Sequence, residues 1–179
     1  LNTVNVKITN QHTMHNKTHR ITSKLFAFLL LITLCAFITN LQAQSVTINE
    51  FMASNRTTIA DEDDEFSDWI ELYNQTSEDI NLLGWRITDD DANSAKWVFP
   101  SVSIEANGYL LIFASSKDRR DPSGELHTNF NLSREGEYLG LFDSKGTMQD
   151  EFSPAFPQQR QDISYGSFQG TYTFFTDPT

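Results

Sequence analysis

Residues 67–74, Ser-Asp-Trp-Ile-Glu-Leu-Tyr-Asn, limit what this chain can fold into. Trp69, Glu71 and Tyr73 fall on one side of an extended backbone, Ile70 and Leu72 on the other. Strict alternation in a run rich in aromatic and β-branched residues specifies a sheet strand with one face turned to a core. An acidic run at 61–65 precedes it and a polar turn at 75–79 follows. A hydrophobic strand with a glutamate in it therefore adjoins a highly charged loop.

The rest of the chain repeats this punctuation. Residues 46–52 open with Val46 and Ile48 facing one way and Thr47 and Asn49 the other. A bend at Gly84 leads into 85–88, and Pro100 stops a short strand at 96–99. Val102 and Ile104 mark an edge segment, and Asn107-Gly108 is a turn. The continuous apolar run 109–114 reads as a central strand buried on both faces. Residues 138–142 and 147–152 form a hairpin about the turn at 143–146, and 163–168 is the last short strand. No window of helical length sustains a three-to-four-residue apolar spacing. Short strands at intervals of about ten residues, separated by turn chemistry, predict an all-β sandwich or barrel. Its core is expected to hold Val46, Ile48, Trp69 or Ile70, Leu72, Trp85, Leu111, Phe113, Leu139 and Leu141.

Charge divides the chain. Residues 1–49 contain no acid and four bases, Lys7, Lys17, Arg20 and Lys24; the remaining nine bases face all 24 acids. So electronegative a domain repels phosphate backbones, and no nucleic-acid partner is expected. Lys17, Arg20 and Lys24 precede an apolar run at 25–38, and Ala43 supplies a small residue beyond it. That is the order of a secretory signal peptide, and the run is shorter than the roughly 20 apolar residues of a membrane span. The expected cut follows Ala43; membrane contact would come only through an uncleaved signal. Because Leu1 is not Met and Met14 lies just before the basic segment, residues 1–13 read as an upstream extension. Cys35, the single cysteine, lies within the apolar run. The mature domain then has neither disulfides nor thiolate metal ligands.

Several blocks, in order, resemble the lamin tail domain in the form found in secreted bacterial proteins. They are Ile48-Asn49-Glu50-Phe51-Met52-Ala53-Ser54-Asn55, Asp68-Trp69-Ile70-Glu71-Leu72-Tyr73-Asn74, Leu82-Leu83-Gly84-Trp85, Trp97 with Phe99-Pro100, then 108–115, 125–130 and 162–166. The resemblance covers about residues 46–168. It implies an immunoglobulin-like β-sandwich acting as a non-catalytic interaction module, protein-binding and fused to further domains in an exported, cell-surface or secreted protein. The expected organisation is an N-terminal extension and signal-peptide helix over 1–43, the sandwich over 44–170, and the start of a linker to a further part over 171–179. The alternative is a carbohydrate-binding accessory domain of a secreted hydrolase, so the partner is a protein or a cell-envelope polysaccharide.

Five groups of residues are candidates for chemistry. Asp61, Asp63, Glu65 and Asp68 put carboxylates near one turn, as Ca²⁺ requires; Glu71 or Asp89-Asp90-Asp91 can contribute if loops meet. The spacing is not that of an EF-hand, and a solvated anionic loop is the plainer reading. Glu50 and Glu71 lie within strands and pair as glycosidase acids do only at the right separation; structural hydrogen bonding to loop amides, Arg86 or Arg134 is favoured. His127, the only histidine after the signal, is expected to have a local partner, since nothing around any serine resembles a nucleophile elbow. Trp69, Trp85, Trp97 and Tyr109 form a carbohydrate platform only if exposed; alternation favours the core. Lys117, Arg119 and Arg120 read as a loop partly neutralised by Asp118 and Asp121. No catalytic residue is expected.

Overall fold

The computed structural model describes residues 45–178. The expected N-terminal extension, signal-peptide helix and cleavage site lie outside the described residues. Within them there is no helix; eleven strands form antiparallel sheets. One sheet has the order β11-β10-β1-β2-β7: Thr171–Phe175, Ser164–Phe168, Val46–Met52, Asp68–Asn74 and Tyr109–Ala114. The second has the order β5-β4-β8-β9: Trp97–Val98, Arg86–Thr88, Leu139–Phe142 and Met148–Phe152. The short strands β3 (Ile80–Asn81) and β6 (Ser103–Ile104) pair with each other.

The main core joins the two large sheets. Val46, Ile48, Phe51, Ile70, Leu72 and Ile112 come from the first, and Ile87, Trp97, Leu139 and Leu141 from the second. Sequence alternation locates this face on β2: Ile70 and Leu72 are fully buried in it. On β1 the alternation breaks. Ile48 faces Leu72 and Glu50 faces Glu71, leaving Asn49 as the extra residue of a β-bulge. The bulge shifts the pleat by one, so Phe51 enters the core and Glu50 takes the opposite face. Close approach follows: a Cβ at Gly166 would lie 2.7 Å from the Asn49 carbonyl oxygen and 2.8 Å from the Glu50 side chain.

Trp69 faces away from the main core. With Met52 and Phe113 it forms a second, smaller cluster against which Ile59 and Leu111 pack. Loop 53–67 supplies Ile59, so it closes over the outer face of the sheet. This cover explains the continuous apolar run in β7, although the strand is not central. It ends the sheet; Tyr109 is exposed and Leu110 and Leu111 are half-buried, and only its second half is buried on both faces. Segment 126–128 bonds to that half: the Phe113 amide donates to the Leu126 carbonyl, and the Thr128 amide to the Phe113 carbonyl, each at 2.8 Å. Leu111 accordingly belongs beside the small cluster rather than in the main core.

The sheet also extends beyond the strand expected to be last. Residues 171–175, read as the beginning of a linker, form β11, with Thr171 to Phe175 in continuous register against β10. A run of Thr, Tyr and Phe has the composition of a strand, and the Gln169-Gly170 turn, with φ of 51° and 79°, returns the chain.

Candidate functional site: the charged cap over the outer face

Loop 53–67 is shaped by side chains that replace regular backbone pairing. Asn55 donates from Nδ2 to the carbonyls of Ile59 (2.6 Å) and Ser67 (2.9 Å), and its Oδ1 accepts from the Thr58 amide and hydroxyl. Asp162 reaches in from before β10: its Oδ1 accepts from the amides of Arg56 and Thr57 at 2.6 and 3.0 Å. The acidic run folds around Asp61, whose Oδ1 accepts the amides of Asp63 and Glu65, both at 3.0 Å. Asp64 takes a φ of 60°, so the turn is tight. The run is therefore an ordered turn about buried Asp61, with Glu62, Asp63, Asp64 and Glu65 still exposed to solvent.

The carboxylates of Asp61, Asp63 and Glu65 converge, with one oxygen from each within 4.8 Å of the others. Lys117 lies among them, its Nζ 2.6 Å from Asp61, 2.7 Å from Asp63 and 3.0 Å from Glu65. An ammonium has three donors, and each meets a carboxylate here. Burial alone would lower the lysine's pKa, but the three carboxylates, led by Asp61, raise it. Against the upward pull of burial, Lys117 and the Glu65 and Asp63 amides hold the Asp61 carboxyl below its ordinary range. A calcium ion at these oxygens would have to displace Lys117.

Asp68, the fourth expected ligand, lies apart from this group. It begins β2 and accepts the amides of Asn55 (3.4 Å) and Leu132. Burial pushes its carboxyl up to about 6, against those two amides, and Glu137 adds repulsion. It lines a shallow cleft with Phe66, Ser67, Ala114, Ser115 and Asn131.

Sequence reasoning missed the partners of the basic loop. Lys117 and Arg119 cross to the acidic turn rather than neutralising their own loop; Arg119 bonds Glu62 and, at 2.6 Å, Asp63. Only Arg120 stays local, 2.8 Å from Asp118 and over the Trp97 ring. Alternating signs in two loops that flank adjacent strands were the available signal, but a sequence does not show which loops meet.

His127 lies behind this layer with its side chain fully buried, stacked on Phe113 at 5.3 Å. Its Nδ1 is 2.8 Å from Ser115 Oγ and its Nε2 is 2.9 Å from Glu62 Oε2. Hydroxyl, imidazole and carboxylate thus stand in the order of a nucleophile triad. Acyl transfer also needs free donors for a developing oxyanion. The amides after Ser115 are already committed: Ser116 donates to the Phe130 carbonyl, and Lys117 donates to Ser115 Oγ itself at 3.3 Å. The arrangement joins three segments.

Glu50 and Glu71 are cross-strand neighbours on the outer face. Glu50 accepts from the Ser164 hydroxyl, and Glu71 from Asn49 Nδ2 at 2.7 Å. Burial first, and then the Glu50 charge, raises the Glu71 pKa. These bonds come from adjoining strands, where the sequence suggested loop amides or arginines. Trp69, Trp85 and Trp97 are buried, so the tryptophan platform does not exist; Tyr109 alone of that set is exposed, stacked on Tyr73 at 4.7 Å.

The two larger antiparallel sheets, packed about a shared main core, are consistent with an immunoglobulin-like sandwich. The profile of the Lamin Tail Domain family matches residues 39–155, and the chain belongs to that family. No curated protein matches it.

Proposed function

We propose that the domain from residue 44 onward is a non-catalytic interaction and adhesion module of an exported bacterial protein, secreted or held at the cell surface. Membership of a family of immunoglobulin-like domains supports the interaction role. The observation that carries it is the β10–β11 hairpin. Phe168, Tyr172 and Phe174 are exposed there by 57%, 37% and 43%, beside a strand that ends the sheet. A strand at a sheet edge binds an extended partner through its backbone, and aromatic side chains supply buried area and selectivity. The basic segment and apolar run at 17–38 support export.

The exported protein, recovered outside the cytoplasm, is expected to begin near Gln44. It should bind envelopes of the producing cell, and the triple variant Phe168→Ser/Tyr172→Ser/Phe174→Ser should bind at least tenfold more weakly. Equal binding by the variant contradicts the docking surface; a cytosolic protein that retains residues 25–38 contradicts export. No glycan, ester or phosphodiester should be hydrolysed. Turnover that disappears in Glu50→Gln or Glu71→Gln with the fold intact would refute the non-catalytic reading. The carbohydrate-binding alternative now rests on surface tyrosines, and competition by soluble envelope polysaccharide would favour it.

A further inference from the structure

A second group of metal-ligating atoms lies beside the Lys117 site, and its chemistry differs. Glu62, Glu125 and His127 each present one ligand atom within 4.8 Å of the other two. One of the three is an imidazole, a donor that suits zinc and other transition metals rather than calcium. Lys117 makes its bonds with Asp61, Asp63 and Glu65, leaving this second set to Arg119, which bonds Glu62.

We propose that Glu62, Glu125 and His127 form a binding site for a divalent transition metal, with zinc the best match. Imidazole plus two carboxylates is a three-ligand nitrogen–oxygen set, and it leaves a fourth tetrahedral position for water. The site is pre-oriented. The His127 ring is fully buried, stacked on Phe113, and held at Nδ1 by Ser115 Oγ. Nε2 shares a proton with Glu62 Oε2 here, and metal binding would release that proton to solvent; Ser115 Oγ, which accepts the Lys117 amide, has a second lone pair for the Nδ1–H of the tautomer that then ligates through Nε2. A metal-binding histidine usually donates its far N–H to a carboxylate, a backbone carbonyl or water, and the Ser115 hydroxyl would take that place here. Arg119 does the same for Glu62 through its other oxygen, and the Glu62 amide, donating to Glu125 Oε2 at 2.7 Å, fixes the third ligand.

The reach is sufficient. Nε2 and Glu62 Oε2 are 2.9 Å apart, spaced for a shared proton. Two ligands of tetrahedral zinc lie about 3.3 Å apart when its bonds are about 2.0–2.1 Å long. Rotation of the half-exposed Glu62 side chain supplies the few tenths of an ångström needed. Charge also favours a cation: among the described residues, the carboxylates of Asp61, Glu62, Asp63, Glu65 and Glu125 outnumber the Lys117 and Arg119 cations paired with them. Bound metal would tie the acidic turn to segment 125–127 and tighten the cap over Trp69 and Phe113.

The test uses the full chain with His12, His15 and His19 replaced by Asn, because that histidine-rich stretch can bind zinc by itself. After chelator treatment it is titrated with Zn²⁺ against a chromophoric competitor, and with Co²⁺ for its ligand-field spectrum. One equivalent should bind, the Co²⁺ spectrum should report low-coordinate nitrogen–oxygen ligation, and the melting temperature should rise with Zn²⁺. Glu125→Gln, an exposed substitution, should weaken binding at least tenfold, and Glu62→Gln likewise; Asp121→Asn, outside the set, should leave it unchanged. Millimolar Ca²⁺ should not displace the Zn²⁺. Absence of stoichiometric binding, or unchanged affinity in both glutamine variants, overturns the proposal.

Discussion

The two faces of strand β2 are held down by different forces. Ile70 and Leu72 point into a core of buried apolar side chains shared by both sheets. Trp69, on the other face, clusters with Met52 and Phe113, with Ile59 and Leu111 at the margin, beneath a loop closed by ion pairs and side-chain hydrogen bonds. The inner face is covered by strands that a hydrophobic pattern selects. The outer face is covered by loops that charges select. Most of the folding free energy therefore belongs to the first, and the geometry of the candidate site depends on the second.

The largest difference should appear between two leucines of similar size. Leu72→Ala opens a cavity in the main core and should cost ~2–5 kcal/mol in chemical denaturation. Leu111→Ala removes a side chain that is already half-exposed, and about 1 kcal/mol is expected. Equal costs would mean that the two clusters are energetically one.

Next comes the tie across the cap. Asp61→Asn should destabilise by about 1–3 kcal/mol, because the carboxylate is buried and its bonds to Lys117 and to two amides are charge-assisted. A double-mutant cycle with Lys117→Met should give a coupling of about 1 kcal/mol or more. Arg119→Ala, at an exposed pair, should cost much less than Asp61→Asn and lose even that in high salt. An Arg119 effect as large as that of Asp61 would contradict the ranking.

A separate effect is pH-dependent. The Asp68 carboxyl titrates near 6 in the fold against an ordinary 3.8, because burial disfavours its charge. Above pH 6 the group is ionised in both states and the folded state bears the full penalty. As pH falls from about 6 to about 4, the folded state takes up the proton first, so this group contributes increasing stability. Asp68→Asn should flatten that part of the stability profile relative to the parent chain. An unchanged slope would show that Asp68 is not the group responsible.

How far the sequence could be read follows the same division. Alternation identified β1 and β2 as strands but left open whether Trp69 or Ile70 faces the core, and Gly84, Pro100 and Asn107-Gly108 marked real breaks. The pattern could not show the Asn49 bulge, which moves Phe51 inward and Glu50 outward, because an inserted residue looks like any other polar position. It placed β7 at the centre because a covered outer face erases alternation as thoroughly as a neighbouring strand does. At the candidate site the acidic turn was visible, and three of its four expected ligands do converge. What lies between them was not visible. Lys117 is distant in sequence and reaches the turn only because β2 and β7 pair, and the same pairing brings Ser115 and His127 behind Glu62. Asp68 looked like part of the cluster by sequence distance alone, whereas the start of β2 turns it toward backbone amides.

Native-state hydrogen exchange on the parent chain and on Lys117→Met tests the division most directly. Replacing the ammonium removes the cation shared by Asp61, Asp63 and Glu65 without touching the main core. The amides of Asp63 and Glu65, which donate to Asp61, should exchange at least tenfold faster, and those of Ile70 and Leu72 should keep their protection. Equal acceleration at all four positions would show that cap and sandwich open as one unit, and would contradict the account.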